Sequence, residues 1–234
     1  MAVFTGVLNK EGSAYNDVLE ALDLANEVGY NKYTDIFGYS GNINQKNGEG
    51  NIGKIVKKSD LLMEETNPSH AVVGYASSIH DFKETPRYDL NPFRQAVGVG
   101  RVWTKKEEKP VINRTIDPFL EGFGERIDHL RENSFDDYVE AALDIPKNFY
   151  GGFAAMLLTN TDEPAQSCLM AFNDRNSTVK LYAGKKDDKV CFTTDPIVMD
   201  YLDYDYKRLP GGTVVIADTK GNYKEKRYAK SKEM

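Results

Sequence analysis

The hydroxyl side chains that could act as nucleophiles lie at scattered positions. Thr5 could attack with its own α-amine as base, but only if processing removed residues 1–4. Ser77 and Ser78, followed by His80, offer a nucleophile and a base. However, residues two apart on a strand share a face, and no acidic residue is evident to orient the imidazole. The sequence therefore favours neither group as a catalytic centre.

Metal-binding side chains are equally dispersed. His70, His80 and His129 show no metal-ligand spacing. Cys168 and Cys191 form no CxxC pair, and each lies in an apolar, strand-like run that is typical of a buried thiol. The two cysteines could pair only if their strands were neighbours. We expect no metal and no other cofactor.

An acidic strip follows one of the apolar runs. Asp200, Asp203 and Asp205 could supply oxygen ligands to a cation. Three tyrosines alternate with these carboxylates: Tyr201, Tyr204 and Tyr206. The mixture favours a solvated contact surface, so Tyr201, Asp203, Tyr204 and Asp205 are our candidates for an interface.

The first half of the chain predicts several strands, several helices and long loops. Residues 2–9 have strand composition, and the apolar spacing from Ser13 to Val28 predicts a helix that Ser13 caps. Ser134 and Asp137 resemble a capping box. Strands are predicted over 36–39, 71–79, 95–104 and 111–113. The remaining predictions are a loop or a long hairpin tip over 40–53, a loop over 80–93, a short helix over 60–66, and helices over 117–130 and 134–144.

The hydrophobic pattern of the sequence changes at Phe149. Four apolar runs, separated by turn residues, predict a meander of antiparallel strands. A helical turn over 196–202, a strand over 211–218 and a hairpin turn at Lys220-Gly221-Asn222 follow. The whole pattern predicts an α+β fold in which antiparallel sheets stack on each other. We treat residues 1–234 as a single domain.

The order of these motifs resembles the class II glutamine amidotransferases, which belong to the N-terminal-nucleophile (Ntn) hydrolases. The runs YGGFAAM (150–156), LYAG (181–184), CFTTDP (191–196) and RLPGGTVV (208–215) are each similar to a strand or turn of that family, in the same order. The resemblance implies a four-layer αββα sandwich of two antiparallel sheets flanked by helices.

The residues that perform the family's chemistry are missing. Gly6 is in register with the family's N-terminal motif, but Ala2 stands where the nucleophilic cysteine would be. Ser77 stands where an arginine would grip the substrate carboxylate. The acidic motif that binds the substrate's amine has no equivalent. These departures imply a degenerate active site, in which Ala2 and Asn113 occupy catalytic positions without catalysing.

A small-molecule pocket could persist without chemistry. Asp35 lies in a segment similar to the family's DSxG motif, and Asn91 begins the Asn-Pro-Phe that resembles its NxQPF motif. Asn113 corresponds to an oxyanion-hole asparagine, although Arg114 replaces the glycine that follows. Together with Ser77, these residues would line such a pocket.

Charge and composition limit the partners. The net charge of −6 argues against nucleic-acid binding, and no apolar run is long enough to span a membrane. The first residues lack a secretory signal, so we expect cytoplasmic synthesis without secretion. Fourteen tyrosines favour protein interfaces. We expect self-association or other protein subunits, with Lys226 in the basic tail of one copy meeting Asp203 of the next.

Three hypotheses follow. The first is a catalytically inactive structural or scaffold subunit of a larger assembly, for which a virus particle is one example. The second is an active class II-type amidotransferase or amidohydrolase with a relocated nucleophile. The third is a binding module that retains a small-molecule pocket.

Overall fold

Two antiparallel sheets organise the protein. The computed structural model describes residues 2–29, 33–39, 43–49, 68–77, 87–91, 94–104, 122, 126, 134–160 and 167–229. The strands of the first sheet are β1 (Ala2–Asn9), β2 (Tyr33–Tyr39), β3 (Ile43–Glu49), β4 (Ala71–Ser77), β9 (Tyr182–Lys186), β10 (Lys189–Thr193) and β11 (Asp205–Arg208). They lie in the order β11-β9-β10-β1-β4-β2-β3, and all the pairs are antiparallel.

The second sheet has six strands in the order β13-β12-β8-β7-β6-β5, again with antiparallel pairs throughout. Its strands are β5 (Arg87–Asn91), β6 (Arg94–Thr104), β7 (Phe149–Asn160), β8 (Ser167–Asn173), β12 (Thr213–Asp218) and β13 (Tyr223–Arg227). The helices whose bounds the structure describes are α1 (Tyr15–Glu27), α2 (Phe135–Asp144) and α3 (Pro196–Tyr201), and a 3₁₀ turn, Ile145–Asn148, follows α2.

Three apolar clusters define four layers. One cluster joins the facing sides of the two sheets and includes Phe4, Tyr75 and Met156. A second joins α1 and α3 to the outer side of the first sheet, and a third joins α2 to the outer side of the second. The arrangement confirms the α+β fold and its αββα order.

Strand β1 is the central strand of the first sheet, as its composition predicts. It lies between β4 and β10, and Val3 to Asn9 are all buried. Since strand side chains alternate between faces, Phe4 and Leu8 enter the core between the sheets while Val7 packs towards α1. A Cβ atom on Gly6 would lie 2.8 Å from the sulfur of Met156 in the opposite sheet, so this glycine permits the sheets to approach closely.

Several local predictions are confirmed. Ser134 caps α2 in a capping box with Asp137, and a short helix covers Pro196–Tyr201. The chain turns between β12 and β13 at Gly221, whose φ is +89°. For α1 the predicted cap is off by one residue: Ala14 is the N-cap, and the Ser13 hydroxyl accepts from the Tyr15 amide instead.

Of the two alternatives for 40–53, the structure has the hairpin, whereas the loop predicted over 80–93 is wrong where it contains an edge strand. Ile43–Glu49 pairs with β2, and Arg87–Asn91 pairs with β6. Both strands lie at the edge of a sheet, where backbone pairing to one neighbour is sufficient and an apolar pattern is not required. The predicted helix over 60–66 lies outside the described residues, as does most of the helix predicted over 117–130.

The predicted meander after Phe149 is wrong in one connection. Strands β7 and β8 pair in the second sheet, whereas β9 and β10 pair in the first. The chain therefore crosses between the sheets after Asn173. This crossing also separates the cysteines, since Cys168 packs under α2 and Cys191 packs under α1.

Candidate functional site

The nucleophile and clamp positions lie side by side. In the register of the first sheet, Ala2 of β1 is opposite Ser77 of β4, and Ser77 is opposite Tyr33 of β2. Ala2 is the first residue of its strand and Ser77 the last of its own. Three adjacent strands therefore bring these positions to one end of the sheet.

Ser77 belongs to the face that looks towards the second sheet. Tyr75 and Val73, two and four residues earlier, are in the cluster between the sheets, and strand alternation places Ser77 on the same side. Only 4% of Ser77 is exposed. A group at this position is thus shielded from bulk water.

The other predicted pocket residues are distributed more widely. Asp35 of β2 is opposite Tyr75 in the register, two positions inward from Ser77. Asn91 ends β5, the edge strand of the second sheet, where it is opposite Arg94. Asn113 lies outside the described residues. The structure therefore places Asp35 and Ser77 on adjacent strands of one sheet and Asn91 in the other sheet.

Thr5 is poorly placed to act as a nucleophile. It lies in the middle of β1, is 1% exposed, and shares a 2.9 Å hydroxyl–hydroxyl hydrogen bond with Thr193. Thr193 in turn donates to the carbonyl of Phe4. Strand alternation puts Thr5 on the helix side of the sheet, opposite to the face of Ser77. A free amine at Thr5 would require the central strand to lose the residues that pair with Ser77, Ala76 and Tyr75.

The histidines and the acidic strip form no metal site in the part of the chain that the structure describes. His70 Nδ1 lies 3.2 Å from the carbonyl oxygen of Asn9. His80 and His129 lie outside the described residues, as does Ser78. Asp203 approaches Lys186 at 3.8 Å rather than another carboxylate.

The predicted interface strip divides into an exposed part and a buried residue. Tyr201 is 60% exposed, and Asp203, Asp205 and Lys226 are exposed. The prediction that Tyr204 belongs to an exposed interface is wrong. Tyr204 is only 5% exposed, and its hydroxyl donates to Asp17 at 2.8 Å. Burial, followed by the neighbouring Cys191 and Asp17, raises the pKa of Tyr204 far above its usual value.

Tyr204 instead belongs to a partly buried polar contact that connects α1 to the first sheet. The Asp17 carboxylate accepts from Tyr204 through one oxygen and from Lys189 of β10 through the other, at 2.9 Å. Burial also raises the pKa of both cysteine thiols, Cys168 and Cys191. Thiols of this kind are poor nucleophiles because the reactive thiolate is disfavoured.

Sequence reasoning missed the buried carboxylate of Asp174, at the crossing between the sheets. One oxygen accepts from the Asn176 amide (2.9 Å) and the Thr178 hydroxyl (3.1 Å). The other accepts from the amides of Phe153 and Val179, each at 3.2 Å. The Asp-Arg-Asn-Ser sequence after an apolar strand is a signal for such a turn, because aspartate caps nearby amides. The contacts give Asp174 a structural role.

A cleft lies beside the 3₁₀ turn, on the helix side of the second sheet. Its lining includes Arg126, Asp144, Lys147 and Phe149. Lys147 pairs with Asp144 at 2.8 Å, and this contact, with Arg126 nearby, lowers the pKa of the Asp144 carboxyl. None of the predicted site residues that the structure describes is among the residues that line this cleft.

The paired sheets, the central N-terminal strand and the flanking helices define a class II glutamine amidotransferase-like fold of the Ntn type. One similar solved structure is the glutamine phosphoribosylpyrophosphate amidotransferase of B. subtilis, with a TM-score of 0.63 and 13% identity over 98% of this chain. Another, described as the allosteric regulatory enzyme of purine biosynthesis, has a TM-score of 0.66 and 14% identity over 98% of this chain.

The chain spans about half of each of these enzymes, 49% in both cases. No family model matches its sequence, and the search of the curated proteins found no match. At this level of identity the likeness establishes the fold alone. Among the helices that the structure describes, none is long and apolar enough to cross a membrane.

Proposed function

We propose that this protein is a catalytically inactive amidotransferase-like protein that serves as a structural or scaffold subunit of a larger assembly, such as a virus particle. One observation carries the proposal: Ala2 and Ser77 are register partners at the end of β1 and β4. The resemblance assigns these positions to the nucleophile and the substrate clamp. Their adjacency supports that assignment, because the two functions must act on one substrate.

The chemistry of the two side chains argues against glutamine hydrolysis. A methyl group has no lone pair with which to attack a carbonyl carbon, so Ala2 cannot form the covalent intermediate of acyl transfer. A serine hydroxyl offers one donor, whereas an arginine offers a charged, bidentate fork to a carboxylate. Loss of both functions removes the attacking group and the substrate's anchor together.

An active glutamine amidotransferase with a relocated nucleophile is the second candidate. It is favoured by the fold, since one of the similar structures is named as a glutamine phosphoribosylpyrophosphate amidotransferase. Thr5, Cys168 and Cys191 give it little support, because all three are buried within strands.

Ammonia release from glutamine by purified protein tests the loss of activity. We expect the wild type and Ala2→Cys both to remain at the buffer blank, because the substitution restores a thiol without restoring the clamp. Ala2→Ser is the matched control for the change at this position. Activity in Ala2→Cys that is absent from Ala2→Ser would mean that the pocket still binds glutamine, and would contradict the proposed loss of the substrate site.

A further inference from the structure

Strand β11 forms one edge of the first sheet. Among the strands that the structure describes, β9 is its one neighbour. The Leu209 amide donates to the Leu181 carbonyl, which lies opposite when the register of β11 and β9 is continued by one residue. Hydrogen-bonded and non-hydrogen-bonded pairs alternate along an antiparallel ladder. Lys207 therefore bonds to β9, whereas the backbone amides and carbonyls of Tyr206 and Arg208 point away from the sheet.

An open edge of this kind can accept a further strand, because its outward amides and carbonyls can bond to one. The side chains decide which strand fits. Asp205, Lys207 and Arg208 are exposed, and Tyr206 is half-buried. Lys207 reaches Glu225 of β13 at 2.9 Å, so Lys207 and Asp205 lie on the side of the second sheet, whereas Tyr206 packs on the helix side. A matching strand presents opposite charges on the first side and an aromatic or apolar group on the other.

A second copy of β11 meets these requirements in one register. Two antiparallel copies related by a two-fold axis have one residue opposite its own counterpart at the centre. With Tyr206 at the centre, Asp205 of each copy is opposite Lys207 of the other, and the two Tyr206 backbones exchange hydrogen bonds. With Asp205, Lys207 or Arg208 at the centre, a charged residue would be opposite an identical charge, which is destabilising. The order of charges along the strand therefore selects the Tyr206 register.

The ion pairs within one copy leave both charges of this contact accessible. Asp205 is exposed and forms no ion pair with any described residue. The Lys207 side chain is 63% exposed although it pairs with Glu225, and its ammonium group has three donors, so it can contact two carboxylates at once. Lys224 and Lys226 of β13 are opposite residues of β12 that face the α2 side of the second sheet, and they therefore point away from the contact.

The neighbouring edge strand, β13, lacks this complementarity. With Glu225 at the centre of a two-fold pair, two glutamates would be opposite each other and Lys224 would be opposite Lys226. With Lys224, Lys226 or Arg227 at the centre, two identical cations would meet. The comparison shows that the match in β11 depends on its particular order of residues and is not shared by every charged edge of this protein.

We propose that two copies of this protein associate through β11 about a two-fold axis with Tyr206 at its centre, which joins two seven-stranded sheets into one continuous sheet. Antiparallel pairing also brings the acidic start of the strand, at Asp203, towards its basic end, at Arg208. The inference goes beyond the proposed scaffold function and does not depend on it, because the contact uses no residue of the family's active site. Four strand residues form a small interface, so the expected dimer is weak and reversible.

Analytical ultracentrifugation of the full chain over a series of protein concentrations tests the contact. The mass should rise from the 26.3 kDa of one copy towards twice that value. Tyr206→Pro should prevent the rise, because proline lacks the central amide, and an outward amide at an edge is not needed within one copy. Tyr206→Ala is the matched control: it removes the same side chain but retains the amide, and its dimer should have an affinity within about ten-fold of the wild type.

A charge swap tests the register. Asp205→Lys and Lys207→Asp should each weaken the dimer by about ten-fold or more, because like charges are then opposite each other at two symmetric places. The double variant again has opposite charges at both places and should recover most of the lost affinity. Lys226→Asp makes the same charge change on the outer side of the second sheet and should leave the affinity unchanged. Circular dichroism verifies that each variant is folded.

Three outcomes would overturn the inference. One is a wild type that remains at 26.3 kDa up to its solubility limit. Another is a dimer that Tyr206→Pro leaves intact, and the third is a dimer whose affinity neither single charge reversal changes, since association would then use another surface. Glutamine hydrolysis by the wild type would instead contradict the proposed function, and it would leave this contact standing.

Discussion

Replacing Asp174 by alanine should destabilise the protein strongly, because this carboxylate holds the crossing between the sheets. Asp174 is 0% exposed, and its two oxygens accept from three backbone amides and one hydroxyl. The Phe153 amide loses its side-chain partner within the buried strand β7. Each buried donor left unsatisfied costs about 1–3 kcal/mol, whereas the donors near the surface recover water.

The expected loss for Asp174→Ala is about 3–5 kcal/mol in the free energy of unfolding. That is a large share of the roughly 5–15 kcal/mol that stabilises a typical domain. Asp174→Asn retains an acceptor for one pair of donors and should lose roughly half as much. Asp205→Ala, an exposed residue on β11, is the matched control and should change stability by less than about 0.5 kcal/mol.

Urea denaturation followed by circular dichroism measures these differences from the transition midpoints. A loss of less than about 1 kcal/mol for Asp174→Ala would refute the reasoning, because it would mean that the four donors find other partners at little cost. An equal loss for Asp205→Ala would also refute it. In that case the destabilisation would not arise from buried hydrogen bonds.

Three further predictions concern other positions. Gly100→Ala should lower the thermal unfolding midpoint or prevent folding. The φ of Gly100 is +123°, and a Cβ atom there would lie 2.1 Å from the carbonyl oxygen of Gly152. An unchanged midpoint would contradict this prediction. Tyr204→Phe should cost about 1–2 kcal/mol by urea denaturation, because Asp17 loses one of its two partners. Burial raises the pKa of Tyr223 from 10.0 to about 12. The neutral phenol of Tyr223 therefore contributes fully to the free energy of unfolding below pH 10, and this contribution disappears as the pH rises through 12. Tyr223→Phe should therefore flatten the loss of stability in alkaline titrations, and an unchanged titration would argue against it.

The predictions that succeeded depend on strong local signals. The run from Ala2 to Asn9 alternates apolar groups for both faces of a sheet, and Ser134 with Asp137 satisfies the amides that begin α2. These signals require only neighbouring residues. The αββα order could be predicted because four weak similarities occur in the family's order.

The failures involve interactions between distant parts of the chain. The edge strand Arg87–Asn91 is largely polar in sequence, and its place in the sheet comes from backbone pairing with β6. Tyr204 belongs to an acidic strip in the sequence, yet its hydroxyl reaches Asp17, 187 positions away. No local pattern reports such a partner.

The candidate site could be predicted only in part. The similarity to the family assigned Ala2 and Ser77, but their adjacency depends on the register between β1 and β4. Register is set by the packing of both faces of the sheet rather than by the spacing of residues in sequence. The buried role of the Asp174 carboxylate could not be predicted, because an aspartate in a turn is usually exposed.

The central claim is that this fold persists here without the family's chemistry. Glutamine-dependent ammonia release by the purified wild-type protein tests it most directly. The expected rate equals that of the buffer blank. A rate above the blank that a single substitution in this chain abolishes would contradict the claim.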